Sequence, residues 1–375
     1  MQLSETVKLF PTSYQKALIA TTMAEYISTV NGLVSYAVNG HSIAKTTSAD
    51  VSANLPSALK NQCIRDAKSI VKKHYKQCYA AVAKNRSLAK RGSAIRVKAS
   101  RLPVLHKLCC YVNNQNYRVR DNRIDFPVMM NGKSKRISVP VKLTDRQNML
   151  LSNAKLGTMR IVVKNRVLVA QIVYEAVEPE LKPDGNIMGV DLGIKCPAVS
   201  YCSDGSIKFY GNGRRNRYMR RHYAYLRRKL QASKKMKAVM CINDKEQRIM
   251  RDIDHKLSHD IIKTAIAHNV KVIKLEQLQN IRSTTRRSRK NNHSLHTWSF
   301  YRLAKFIEYK ARLAGITVEY VNPAYTSQRC PVCGSIHHAD DRTYTCECGF
   351  HIHRDILGAM NICNSTEFVG NRQTA

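Results

Sequence analysis

The stretch Ile187–Gly193, IMGVDLG, sets a single aspartate, Asp191, in an otherwise apolar run closed by glycine. Isoleucine, methionine and valine at this density read as a buried strand. Acids are scarce, 26 against 63 lysines and arginines in 375 residues, so an acid in a core strand calls for a reason. The segment that follows, PAVSYCSDGSIKFYG (197–211), reads as two strands meeting at Asp204-Gly205, a hairpin signal. Glu276 closes VKVIKLE (270–276), a strand whose apolar residues alternate with lysines. Asp355 opens RDILGAMNI (354–362), a helical segment with Ile356, Ala359, Met360 and Ile362 available for one face. Between them, Phe300, Leu303, Ile307 and Ala311 form the stripe of a core helix over 300–313, with Gly315 after it and a strand over Thr317–Val321. One such carboxylate would be read as a salt-bridge partner. Three of them on core elements favour a shared metal site, since carboxylate oxygens converging on Mg²⁺ make the two-metal arrangement of phosphodiester hydrolysis, with metals ~3.5–4 Å apart.

The formal net charge is +37, which needs a polyanion to face. No acid lies between Asp66 and Asp121, where fourteen bases run from Lys68 to Arg120. Twelve more, Lys208 to Lys237, fill the acid-free span between Asp204 and Asp244. A third span runs from Glu276 to Glu308 and holds Arg282, Arg286, Arg287, Arg289 and Lys290. Tyrosines interleave the first two (Tyr75, Tyr79, Tyr218, Tyr223, Tyr225), the mixture that phosphate neutralisation and base stacking require. The nucleic-acid contacts expected from these spans are Lys68, Lys72, Lys73, Lys76 and Arg86, then Arg214, Arg215, Arg217, Arg220, Arg221, Arg227 and Arg228, then Arg286, Arg287, Arg289 and Arg329. A membrane partner is excluded early: the longest uncharged stretch of the N-terminal half, Tyr26 to Ala44, carries Asn31, Gly32, Ser35, Asn39 and Gly40. No basic segment with an apolar core opens the chain, so a cytoplasmic protein of the prokaryotic cytosol or nucleoid is expected.

Cys330-Pro-Val-Cys333 and Cys346-Glu-Cys348, each followed by glycine, stand twelve residues apart. Four thiolates from two tight turns suit a tetrahedral structural Zn²⁺. The remaining eight cysteines are expected to be buried hydrophobes, and His337, His338, His351 and His353 to be surface or substrate-facing residues. Earlier in the chain, LSETVKLF (3–10) suits a short strand, and helices are expected over Ser13–Val38 and Pro56–Ala83, with an irregular basic connection over 84–103. From Cys109 to Ala176 the period becomes two: CCYVN, YRVR, RIDFPV, RISVPV, GTMRIVV and RVLVAQIVYEAV are separated by turn residues, arguing for a small barrel or curled sheet. Residues 178–185 read as a linker.

GVDLGIK, VIKLEQL and HRDILGAMNI resemble the three RuvC motifs of TnpB, the OrfB-type transposon-encoded nuclease related to type V CRISPR effectors. FYRLAKFIEYKARLAGITVEYVNPAYTSQRCPVCG resembles the same family, so that the likeness covers 187–363 and extends to the N-terminal half in layout. It implies a multidomain α+β chain: a wedge-like β-barrel over 1–10 and 101–178, a helical recognition insertion over 11–100, an RNase H-like (RuvC) α/β domain over 186–322 and 353–366, an inserted zinc ribbon over 323–352, and a tail over 367–375. It further implies an RNA-guided DNA endonuclease of a transposable element that cuts with Asp191, Glu276 and Asp355 on Mg²⁺, with Mn²⁺ as a substitute. Its partners would be a guide RNA and double-stranded target DNA bearing a short adjacent motif, within a monomeric ribonucleoprotein. The chain departs from the family pattern at Gln277, where an acid is usual, and at Leu357, where an asparagine is usual. Two rival readings are a guided DNA-binding repressor with a silent nuclease and a non-catalytic zinc-ribbon RNA-binding protein. The intact carboxylate set argues against both.

Overall fold

The structure, a computed structural model, describes residues 1–164, 166–278, 298–339 and 341–369. Two compact units divide the chain, Met1–Ala176 and Val177–Ala375. Arg286, Arg287 and Arg289 lie outside the described residues, as does the tail beyond 369.

In the first unit, strand β1 (Gln2–Lys8) leads to helix α1 (Ser13–Val38). Thr12 and Gln15 close a capping box at its start, each side chain accepting from the other's backbone N–H. Ile19, Met23, Tyr26, Ile27, Val30 and Val34 of α1 are buried, following the expected helical spacing. Helix α2 runs from Ser57 to Lys90, past the expected end at Ala83. Nothing in residues 84–90 breaks a helix; the first stop is Gly92, whose φ of 67° favours a residue without Cβ. Asn85 then binds the backbone of Val97 in both directions (2.7 and 2.9 Å), so part of the expected irregular connection folds back along the helix. The Tyr26 hydroxyl donates to Asp66 at 2.6 Å and ties α1 to α2.

The period-two runs all become strands: β2 (Cys109–Val112), β3 (Arg118–Arg120), β4 (Arg123–Met130), β5 (Lys133–Pro140), β6 (Leu156–Lys164) and β7 (Val167–Glu175). Helix α3 (Asp145–Asn153), capped by Thr144 and Gln147, stands between β5 and β6. Among the described residues the strands pair as two sheets, β1-β7-β6-β2 and β3-β4-β5, joined by a bridge between Leu9 and Val141. The tight turns at Asp121-Asn122 and Asn131-Gly132 hold φ between 50° and 74°, as hairpins matched to sheet twist demand. Both sheets and both long helices share one apolar core.

The second unit opens with β8 (Asn186–Asp191), β9 (Ala198–Cys202) and β10 (Ile207–Tyr210), an antiparallel meander. Helices α4 (Gly213–Ala232) and α5 (Met236–Ala267) follow, then β11 (Val270–Glu276), α6 (Phe300–Leu313) and β12 (Thr317–Val321). The sheet order is β10-β9-β8-β11-β12, with β11 parallel to both β8 and β12. Leu303, Ile307 and Ala311 of α6 enter the core as expected, and Arg302 binds the buried Asp254 of α5 through Nε (2.7 Å) and Nη2 (2.6 Å). After a small hairpin, β13 (Thr343–Thr345) with β14 (His351–His353), helix α7 (Arg354–Asn364) returns to pack on β8 and β9. The approach is close because Gly189 has no side chain: a Cβ there would overlap the carbonyl of Ala359 and the backbone of Cys363. The face that α7 buries is Leu357, Gly358, Ala359, Ile362 and Cys363, one position away from the expected Ile356 and Met360. The eight other cysteines are not uniformly buried. Cys241 is exposed on α5, and Cys78 and Cys196 are half-buried.

Lys274 of β11 is 6% exposed and donates to the carbonyls of Cys363 (2.9 Å) and Ser365 (2.8 Å) at the end of α7. Lys274→Met leaves both carbonyls without this donor and is expected to cost roughly 2–4 kcal/mol, read as a lowered midpoint in urea unfolding. An unchanged midpoint would show that the lysine is not what holds α7.

Candidate metal and nucleic-acid site

Asp191 and Glu276 end neighbouring parallel strands, and the register that pairs Val190 with Leu275 brings them side by side. Asp355 stands in the first turn of α7, on the element packed over β8. Burial pushes the Asp191 carboxyl well above its ordinary range; the charges of Glu276 and Asp355 push it further, against the pull of Arg354 and Arg342. Burial raises Glu276 as well, while the Thr326 hydroxyl, which donates to its Oε1, works in the opposite direction. Gly358 keeps the space beside Asp191 open: a Cβ there would stand 3.2 Å from Oδ2. Asp191 thus resists ionisation in the company of the other two acids, and carboxylate oxygens are the donor type that hard divalent cations such as Mg²⁺ take.

Two residues beyond the expected set act on this cluster. Arg342 donates through Nη1 to both oxygens of Asp355, each at 2.7 Å. Thr326, besides serving Glu276, lies in the segment that Asn361 of α7 fastens by donating to the carbonyls of Thr326 (2.8 Å) and Arg329 (2.7 Å). Neither belongs to a periodic pattern, and the neighbours of Arg342, Asp340 and Asp341, suggest surface ion pairs instead. His353 also has a structural role: its Nδ1 accepts from the backbone N–H of Asp355 at 3.2 Å and caps α7, and its ring meets Phe209 edge-on at 5.4 Å. A cleft of about 510 Å³ opens beside Asp355, lined by Lys195, Phe209, Arg214, Arg217, Arg342 and His353.

The four cysteine sulfurs lie within 4.8 Å of one another, with Cys330–Cys348 at 3.6 Å and Cys333–Cys346 at 3.4 Å. Sulfurs around a tetrahedral zinc with Zn–S bonds near 2.3 Å stand ~3.8 Å apart, so the cluster fits Zn²⁺. Gly334 and Gly349 both take positive φ, 76° and 87°, and their N–H groups reach back to Cys330 and Cys346 (3.0 Å each), closing the two turns. Ser335 holds the Cys333 thiol down to about 6 through its hydroxyl and backbone. Leu357, the departure from the family pattern, is fully buried among Cys330, Ala339, Tyr344 and Cys346. It joins α7 to the ribbon.

The expected nucleic-acid contacts separate into groups. Lys72, Lys73, Lys76 and Arg86 are exposed on α2, near the exposed Tyr75 and Tyr79, whereas Lys68 is half-buried and donates to the Ala44 carbonyl at 2.7 Å. On α4, Arg214, Arg215, Arg221 and Arg228 are exposed and Arg217 is half-buried. Arg227 pairs with Glu246 of α5 at 2.7 Å, and Arg220 faces the same acid at 3.8 Å, so these two serve the helix hairpin. Arg329 is exposed beside Cys330. No helix among the described residues is long and apolar enough to cross a membrane.

Residues 300–362 match the family described as Cas12f1-like, TNB domain. A TnpB-like protein of Methanocaldococcus jannaschii is 38% identical over 130 residues, 34% of this chain and 46% of the relative. The CRISPR-associated endodeoxyribonuclease Cas12f1 of Syntrophomonas palmitatica is 30% identical over 204 residues, 50% of this chain and 38% of the relative. The chain thus spans less than half the length of these two relatives. A Cas12f1 protein solved by cryo-EM in complex with sgRNA and target DNA shares the fold, with a TM-score of 0.58 at 12% identity over 98% of this chain and 99% of that one. The chain is similar to TnpB-type proteins, and its fold is multidomain α+β.

Two outcomes follow from this geometry. Purified protein should carry close to one Zn²⁺, and Cys330→Ser with Cys333→Ser should remove it and unfold the ribbon, as elemental analysis and local hydrogen exchange will report. With chelator present, Asp191 binds its proton more tightly folded than unfolded, so metal-free protein loses stability as pH rises above the ordinary Asp value of 3.8. Asp191→Asn removes the share of that loss due to Asp191 and leaves that of Glu276. Its melting temperature should exceed wild type by an amount that grows with pH; equal pH profiles would mean that Asp191 is not strained.

Proposed function

We propose that this chain is an RNA-guided DNA endonuclease of a transposable element, cutting by two-metal-ion hydrolysis at Asp191, Glu276 and Asp355. The observation that carries the reading is the convergence of three acids, one of them pushed strongly toward its protonated form, in a chain of net charge +37. Structural salt bridges would not gather acids in each other's company. The sheet order, an antiparallel meander with two parallel strands added beside its first strand, supports an RNase H-like (RuvC) domain interrupted by a zinc ribbon. The sheets of the first unit would then be the wedge-like barrel, and α1 with α2 its recognition insertion. The names of the relatives, a TnpB-like protein and a CRISPR-associated endodeoxyribonuclease, support the same reading.

Asp191, Glu276 and Asp355 would hold Mg²⁺, which when bound supplies charge neutralisation and activation of water for attack on phosphorus. Thr326 orients Glu276 by donating to one oxygen, leaving the other free. Arg342 neutralises Asp355 in the bare cluster and stands beside it in the cleft, where it would meet a phosphate oxygen of the strand being cut. Lys195, Arg214 and Arg217 line the same cleft and would hold the flanking phosphates. The lysines of α2 would neutralise guide RNA, and base pairing would read the target beyond its short adjacent motif.

The test is cleavage of a plasmid matched to the guide, run beside a gel shift on the same DNA. Asp191→Ala, Glu276→Ala and Asp355→Ala should each abolish cutting and spare binding, and a double variant should be no worse than a single one. Arg342→Ala should slow cutting by about 10²–10³-fold with zinc content unchanged. Mg²⁺ or Mn²⁺ should support cutting, and Ca²⁺ should support binding with little cutting. A wild type that binds under every divalent ion yet never cuts would make the chain a guided repressor.

A further inference from the structure

The seven arginines of α4 fall on different faces. Arg220 and Arg227 turn to Glu246. Arg214, Arg217, Arg221 and Arg228 follow a spacing of three, four and seven, one stripe along the helix, with Ala224 filling the position between the last two. Among the described residues none of these four has an ion-pair partner, and Nε of Arg217 is buried without a hydrogen bond. Ala224 matters for what it lacks. Where a long side chain would close the stripe, a cavity of about 330 Å³ opens, lined by Arg217, Arg221, Arg228, Ile194, Leu303 and Trp298. Asp254 also touches the cavity, but its carboxylate is held by Arg302. Arg217 lines both this cavity and the cleft beside Asp355, so the two adjoin through one guanidinium.

We propose that this cavity is a single-nucleotide pocket for the DNA strand being cut: one unpaired base stacks on Trp298 while Arg217, Arg221 and Arg228 hold its phosphates. The inference rests on the endonuclease reading for the identity of the strand, and on the cavity alone for the chemistry. Its volume is at the small end of ligand pockets, suited to one nucleotide and too small for a duplex. Its walls offer what a nucleotide offers in return, an indole and apolar side chains for a base and uncompensated guanidinium groups for phosphate. A strand seated there continues past Arg217 to the acid cluster, so the pocket would fix the position of the phosphate to be cut.

Trp298 is the single tryptophan of the chain, and its emission therefore reports the pocket directly. Guide-bound Asp191→Ala protein, which cannot cut, is titrated with a short oligodeoxythymidylate, with an abasic strand of equal length, with thymidine 5′-monophosphate and with inorganic phosphate. A labelled strand follows total binding by anisotropy. The oligodeoxythymidylate should quench Trp298 at saturation, and the abasic strand should bind without quenching. Arg221→Ala with Arg228→Ala should weaken the quenching titration roughly tenfold. Lys229→Ala, on another face of α4, should leave it unchanged. Equal quenching by the abasic strand, or none at saturation, overturns the proposal. Quenching by the free mononucleotide but not by the strand also overturns it, as does emission already quenched by guide RNA and restored on its removal. A failure of the endonuclease reading shows separately, as a wild type that does not cut.

Discussion

Lys274 puts an ammonium group beneath the last turn of α7, where two backbone carbonyls accept its protons and solvent scarcely reaches. A buried lysine usually needs an acid. Here the counter-charge is the helix itself, whose C-terminal end carries about half a negative charge. The opposite, positive end of the same eleven-residue helix carries Asp355 in its first turn and a His353 cap at its start. One short helix thus satisfies a buried cation at one end and an acid of the cluster at the other. On β11, Lys274 and Glu276 are two residues apart and share a face of the strand, so the contact that docks α7 also sets its height relative to Glu276. Gly189 completes the constraint by letting α7 lie on β8 at backbone contact. The placement of Asp355 over the ends of β8 and β11 follows from that docking.

A cluster made this way is held against its own electrostatics. In a chain with 63 bases, acids could have been dispersed so that each met a lysine or arginine. Asp254 and Glu246 show that solution, each bound by arginine between helices. Asp191 shows the opposite one: burial and two neighbouring carboxylates all act against its charge. Arg354 and Arg342 oppose this from nearby; Arg342 binds Asp355 directly, and it comes from the ribbon rather than from the sheet. The ribbon is therefore more than an appendage. The four-cysteine cluster, which fits Zn²⁺, borders the loop that delivers Arg342, and Leu357 packs against the same cluster from α7.

What could be read in advance divides along physical lines. Strands and helices with strict periods were legible, including all six period-two runs of the first unit and the Leu303–Ile307–Ala311 stripe of α6. The acid cluster was legible because acids in apolar runs are conspicuous against so basic a background. Helix α2 runs past its expected end because the basic residues of 84–90 carry no stop signal; Gly92 imposes the stop. Helix α3 announced itself only through Thr144 and Gln147, a capping box too local to stand out. The pairing of strands into two sheets depends on contacts such as Leu9 with Val141, which no local pattern encodes. Arg342 and Thr326 act through tertiary geometry alone, and Arg220 and Arg227 differ from the other arginines of α4 only through Glu246, which stands opposite them on α5.

That last case bears on how a strongly basic chain meets nucleic acid. A count of arginines treats all seven on α4 alike, yet the helix hairpin removes two of them from the exposed set before any partner arrives. The remainder are not scattered. The stripe from Arg214 to Arg228 lines two cavities, Arg217 bordering both, and an alanine interrupts it. Guanidinium groups spaced along a helix and left without acids repel one another, a cost that an anion bound between them would relieve. The lysines and Arg86 of α2 stand on an open surface with two exposed tyrosines, where a solvated polyanion can be held without being fixed in register. Loose attraction and exact placement would thus call on different faces of the same charge, and the proposed cutting of one chosen phosphate would need the second.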